Sequence, residues 1–170
     1  MVINNDHRNP YQRWLAIVIV LTIVMLDQVS KYAIRTNLEL HESVTILVGR
    51  FNLIYIENTG AAFGFLSSVS FPFKTTILAL AGIIALLGIA FYMVTLPSSQ
   101  WIARTGLSCI LGGAMGNLID RVTTGAVVDF VDLYWREWHF WAFNVADTAI
   151  TIGVIMMIID LLWTEKYRAS

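Results

Sequence analysis

Four long apolar runs, separated by polar punctuation, set the pattern of this chain. The first extends from Trp14 to Leu26 without a charge, and its helical periodicity continues past Asp27 and Lys31 towards Asn37. It predicts a span over about 14–35. The second, over about 75–96, has no charged residue between Lys74 and Arg104 and is closed by Pro97-Ser98-Ser99. A third span over about 101–122 carries Gly106, Gly112, Gly113 and Gly116, small residues that let a neighbouring backbone come close. Gly125 then supplies a C-terminal stop. The fourth covers about 143–163 and ends in the mixed segment from Thr164 to Arg168. Each run meets the roughly 20 residues a helix needs to cross a bilayer.

The segment from about 37 to 74 reads differently. Val44 to Val48 and Phe51 to Ile56 are β-rich runs flanking Gly49-Arg50, a spacing that predicts a hairpin with Gly49 first in a two-residue II′ turn. Val127 to Val131 has the same β-branched and aromatic character and is a candidate third strand. The expected architecture is therefore an all-α membrane protein, one domain over 1–170, with a small β-element outside the bilayer.

Composition agrees with the pattern. Of 170 residues 57% are hydrophobic and 14% charged, against about 45–50% and 25% in soluble domains. A net charge of −1 without a basic stripe argues against nucleic acid as a partner. Arg8 and Arg13 before an apolar stretch have the look of a secretion signal, but no small-x-small cleavage pattern follows, so the run reads as a retained span. Four spans put both termini on one side. Arg8 and Arg13 flank the first helix, which places that side in the cytoplasm.

With that parity, Asp27, Lys31, Asn58, Asn117, Asp120, Arg121, Asp129, Asp132, Asn144 and Asp147 all fall at the opposite mouth of the bundle. Asn144, Asp147, Thr148 and Thr151 stand at i, i+3, i+4 and i+7, one polar stripe on an apolar helix. A carboxylate in a span costs about 2.5–3.5 kcal/mol on insertion scales and so faces a partner or water, which makes Asp147 the leading functional candidate. The bland reading is a buried Asp satisfied by Arg121 or by backbone groups. Asp120-Arg121 fits an interfacial pair ending the third span as well as it fits a site. Asp27 and Lys31, at i and i+4 with the acid first, read as a structural ion pair. Asn58-Thr59-Gly60-Ala61-Ala62-Phe63 is a turn-like segment whose amide can hold extended peptide.

Other chemistries are poorly supplied. Cys109 is the single cysteine, and His7, His41 and His139 have no metal-ligand spacing, so neither a metal nor a cofactor is expected. Carboxylates remain. If Asp129 faces Asp147, two carboxyl groups in low dielectric share a proton and can activate water.

Five ordered motifs carry a resemblance: Asp27-x-x-Ser30-Lys31, Asn58 to Phe63, Gly112 to Arg121, Val127 to Phe130, and Phe143-Asn144-Val145-Ala146-Asp147. Together they resemble signal peptidase II, the lipoprotein signal peptidases, over about residues 14–163. The resemblance implies an aspartic endopeptidase of the bacterial inner membrane that removes signal peptides from diacylglyceryl-modified prolipoproteins, cutting before the lipidated cysteine near the periplasmic face. It assigns Asp129 and Asp147 as the catalytic pair, and Asn58, Asn117, Arg121 and Asn144 as substrate-binding or supporting residues. Asp27, Lys31 and Asp120 become structural. The implied partners are prolipoprotein and membrane lipid, with the enzyme a monomer. Trp141 departs from the family, where Pro is common, and leaves the loop before the fourth span open. The competing classes are a small proton- or ion-coupled transporter, which would use Asp27, Arg121 and Asp147 as a relay, and a lipid-binding scaffold. Four short spans without inverted repeats speak against the transporter.

Overall fold

A computed structural model describes residues 10–60, 69, 72–97 and 99–168. Its elements run α1 (Pro10–Asn37), β1 (Ser43–Leu47), β2 (Phe51–Asn58), α2 (Lys74–Thr95), α3 (Trp101–Thr123), β3 (Val127–Trp135), β4 (Trp138–His139) and α4 (Val145–Arg168). Among the described residues four helices are long and apolar enough to cross a membrane, matching the four expected runs.

The helix ends follow local chemistry. Proline supplies the first residue of α1, where a missing N–H costs nothing. Leu96, extended at the end of α2, precedes Pro97, which disfavours helical geometry in the residue before it. Past α3, Gly125 takes a positive φ of 84° as the expected stop. The fourth helix begins at Val145, not at 143, because Phe143 is paired with Val131 of β3 and Asn144 caps the helix.

α3 is the central helix and packs against α4, α1 and α2. In its most apolar stretch 56% of residues are buried, against none in the most apolar stretch of α2, where Ala79 is the one buried residue among those described and the rest of the surface is left for lipid. The glycines explain this close packing. A Cβ on Gly112 would lie 2.9 Å from Ile23 Cβ of α1, and one on Gly106 would lie 2.8 Å from the Gly153 carbonyl of α4. Gly113 abuts the Ala146 carbonyl, and Gly116 abuts the Asp27 carboxylate. One α3 face thus receives α1 and another receives α4.

The strands form one antiparallel sheet in the order β1-β2-β3-β4, so the Val127 segment does join the hairpin. The turn corrects the sequence expectation. Leu47 pairs with Phe51, leaving a three-residue connection of Val48, Gly49 and Arg50 beside a bulge between Thr45 and Leu47. Arg50 N–H donates to Leu47 O at 3.0 Å, and Gly49, with φ of 75°, is the second central residue of that turn. β-branched Val48 resists a positive φ, so the extra residue created by the bulge shifts the left-handed position to the glycine. Ile34 at the end of α1 packs with Val128 and Phe130 of β3, which seats the sheet on the bundle.

Candidate active site

The register of β2 on β3 sets the first carboxylate. Asp129 lies opposite Ile56, and Val127 lies opposite Asn58. Asn58 and Asp129 are therefore diagonal neighbours on one face of the sheet, within side-chain reach. Asn58 Nδ2 donates to Asp129 Oδ2 at 3.1 Å, while its Oδ1 accepts from Gly60 N–H at 2.9 Å. Val128 and Phe130 point the other way, into the apolar cluster with Ile34.

The second carboxylate comes from the first turn of α4. Phe130 and Val131 N–H both donate to the Phe143 carbonyl, at 3.0 and 2.8 Å, and Phe143 N–H donates to Val131 O. This pins the start of α4 to the strand that carries Asp129. Asn144 then caps the helix: its Oδ1 accepts from Asp147 N–H at 2.9 Å, and its own N–H donates to Asp147 Oδ2 at 3.3 Å. This reciprocal pair is a capping box with an acid at the third position. The same Asn144 sends Nδ2 to Asp129 Oδ1 at 2.7 Å. One buried asparagine therefore bonds both carboxylates.

Asn117 of α3 completes the frame by donating Nδ2 to Asp147 Oδ1 at 2.8 Å. Asp147 is held by amides rather than by Arg121, and among the described residues neither it nor Asp129 has an ion-pair partner. Arg121 instead donates to the carbonyls of Asn117 and Gly60, at 3.2 and 3.0 Å, tying the loop after β2 to α3. Ala61, Ala62 and Phe63 lie outside the described residues. Thr148 and Thr151 are exposed, and their hydroxyls donate to the Asn144 and Asp147 carbonyls of their own helix. The polar stripe on α4 narrows to Asn144 and Asp147.

Beneath the pair lies a buried ionic cluster. Lys31, Asp27 and Asp120 are each 0% exposed. The ammonium reaches Asp27 Oδ2 at 2.8 Å, Asp120 Oδ2 at 2.9 Å and Asn117 Oδ1 at 2.8 Å, which uses its three donors. Two participants escaped the sequence reading. Gln28 donates to Asp27, to Asp120 and to the Gly116 carbonyl, and Arg35 reaches Asp120 Oδ1 at 3.3 Å. Arg35 was detectable, since residues 27, 31 and 35 share one helix face. A second polar group, in which Asp132 accepts from Asn52 at 2.9 Å and contacts His139 at 2.9 Å, ties β2, β3 and β4 together away from the pair. Trp141 is exposed and its ring meets Phe140 edge-on, while the backbone beside it is pinned at Phe140 and Phe143, so the start of α4 keeps its position.

Electrostatics separate this site from an ordinary surface acid. Burial pushes the Asp129 carboxyl up to about 7, and the neighbouring charge of Asp147 adds to the rise. The amides of Asn58 and Asn144 and the Lys31 ammonium pull in the opposite direction. Asp129 is 4% exposed, whereas Asp147 is only partly buried. A buried carboxyl that resists ionisation, beside a second one that keeps partial access to solvent, can hold one proton and bind one water.

Comparison with known proteins bears on this arrangement. Residues 19–163 match the family model described as signal peptidase (SPase) II. A lipoprotein signal peptidase of Syntrophus aciditrophicus is 40% identical, over 86% of this chain and 91% of its own. One from Symbiobacterium thermophilum is 41% identical, over 89% and 97%. A solved bacterial membrane enzyme, determined by the in meso method at 2.3 Å, superposes with a TM-score of 0.77 at 37% identity over 87% of each chain. With the family model reaching from within α1 to within α4 and covering the sheet, and with relatives this similar along nearly their whole length, the chain belongs to the signal peptidase II family of membrane peptidases.

Proposed function

We propose that Asp129 and Asp147 are the catalytic pair, and that together they hydrolyse the peptide bond before the diacylglyceryl-modified cysteine of a prolipoprotein. The observation that carries the reading is that Asn144 bonds both carboxylates, its side-chain amide donating to Asp129 and its backbone N–H to Asp147. It couples their positions, and Asp129's resistance to ionisation favours a pair sharing one proton.

In this scheme the ionised carboxylate takes a proton from water as the water oxygen attacks the scissile carbonyl. The protonated partner hydrogen-bonds the carbonyl oxygen as negative charge develops there, and the proton then passes to the leaving amine as the C–N bond breaks. No acyl-enzyme forms. The titration belongs to the pair, so its apparent pKa values are macroscopic. Asn58, Asn117 and Asn144 orient the carboxylates, and Arg121 supports the loop beside them.

The whole chain acts as one peptidase unit, a monomer in the bacterial inner membrane with both termini cytoplasmic and the sheet and dyad at the periplasmic face. Substrate arrives laterally from the bilayer, its acyl chains remaining in lipid. Membership of a peptidase family leaves the transporter and scaffold readings without support.

Cleavage of a lipidated model prolipoprotein by the purified, detergent-solubilised enzyme tests the scheme. Asp129→Asn and Asp147→Asn, compared with wild type at equal folded fraction, should each lose nearly all activity, with the wild-type cut mapped by mass to the bond before the lipid-bearing cysteine. Wild-type rates in either variant would overturn the assignment.

A further inference from the structure

The buried ionic cluster does more than satisfy itself. Asp27 gives one oxygen to Lys31 and the other, Oδ1, to the N–H of Ala146 at 2.9 Å. Asp120 gives Oδ2 both to Lys31 and to the N–H of Val128 at 3.2 Å. Ala146 immediately precedes Asp147, and Val128 immediately precedes Asp129. The third donor of Lys31 goes to Asn117 Oδ1, which turns the amide so that its NH2 faces Asp147. Every bond of this ammonium therefore leads, through one side chain, to a segment that carries a member of the pair.

We propose that Lys31 is a positioning residue for the reaction: the hub of a three-armed clamp that sets the spacing of Asp129 and Asp147 and keeps the pair in its one-proton state. This rests on the dyad reading above and deepens it.

The physical case has three parts. First, the arms come from two helices, α1 and α3, and converge on β3 and α4, whose own direct link next to the pair runs through the Phe143 backbone and Asn144. Without the clamp, the relative position of Asp129 and Asp147 depends on the Phe143 bridge and on Asn144. Second, a desolvated ammonium with three anionic or amide acceptors has no free rotamer, so it transmits α1 and α3 geometry rigidly. Third, its charge acts on the pair: the Lys31 ammonium opposes the rise of the Asp129 carboxyl. Gly116 makes the arrangement possible, because any Cβ there would occupy the place of the Asp27 carboxylate.

The test compares Lys31→Met, Asp120→Asn and Gly116→Ala with wild type in the lipidated-prolipoprotein assay, with kcat, KM and the pH profile each normalised to folded enzyme. Lys31→Met should lower kcat by about 10²-fold with KM within about twofold, because the reacting groups and not the bound lipid are displaced. Its alkaline limb should move to higher pH, since a cation that favours ionisation of the pair is gone. Asp120→Asn, which keeps an oxygen for Val128 but removes a negative charge, should move the limb to lower pH. Gly116→Ala, which displaces only the Asp27 arm, should lower kcat without moving KM and stands in if Lys31→Met fails to fold. A merely structural role predicts fewer folded molecules with unchanged kcat and unchanged limbs, and that result overturns the clamp. Asp129→Asn and Asp147→Asn run alongside: if they are inactive while the Lys31 and Gly116 variants are normal, the clamp is wrong and the dyad stands. If they retain activity, the dyad is wrong and the clamp falls with it.

Discussion

The carboxyl of Asp129 titrates from 3.8 in an unperturbed chain to about 7 in the folded one. Between those values the folded protein holds a proton that the unfolded chain has released. Its stabilising contribution is therefore complete below about 3.8 and lost as pH rises through about 7. Removing the group removes that loss, so the melting temperature of Asp129→Asn relative to wild type should rise between about pH 5 and pH 8; thermal unfolding in detergent at both pH values checks the sign. In activity the same group predicts an alkaline limb in kcat/KM near 7, owned by the pair. Asn144 was legible as a polar position on α4, but its double duty was not, since a cap and a bridge depend on what lies across from it. Asn144→Ala should cost about 1–2 kcal/mol of stability through the lost cap and should reduce kcat as well. Thr151→Val, on the exposed side with its hydroxyl bonded within its own helix, should stay within about 0.5 kcal/mol and keep its rate.

At the scale of elements, the helices could be read from hydropathy because burial in lipid is demanded of nearly every residue in a span. Their ends were less legible. α4 starts after Asn144 because Phe143 is claimed by β3, a pairing between residues twelve apart that periodicity does not report. The hairpin was recognisable from Val44 to Ile56, but the bulge before Leu47 moved Gly49 from the first to the second central position of its turn. Glycines in α3 marked a close-packing face without saying which neighbour each would receive. A Cβ at Gly113 would meet the Ala146 backbone, where nothing yields easily, whereas one at Gly88 of α2 meets nothing within 4 Å. Gly113→Ala should therefore destabilise by about 1–3 kcal/mol and depress kcat by moving α4. Gly88→Ala should match wild type in melting temperature and rate.

For the whole molecule, the polar residues expected at one mouth of the bundle meet there except Asp132, which pairs with Asn52 and His139: Asp27, Lys31, Asn58, Asn117, Asp120, Arg121, Asp129, Asn144 and Asp147 form one connected set of hydrogen bonds. The proposed topology puts this mouth on the periplasmic side. Single cysteines at His41 and at Gln100, on a Cys109→Ala background, should separate cleanly: intact cells should label position 41 with a membrane-impermeant maleimide and spare position 100. The reverse pattern would invert the orientation.

The sequence by itself determined the four spans, the side on which its polar residues gather and the motifs of the family. Each of these is a property of residues taken one at a time or at fixed spacing, since transfer into lipid adds up along the chain. Only the tertiary structure decided which atoms pair. That Lys31 serves Asp27, Asp120 and Asn117, and that one asparagine holds both Asp129 and Asp147, depends on helix separations of a few ångströms set where Gly112, Gly113 and Gly116 let α1 and α4 approach α3. Hydrogen bonds near 3 Å are lost with small displacements, so their partners follow from the packing of elements and not from the order of residues.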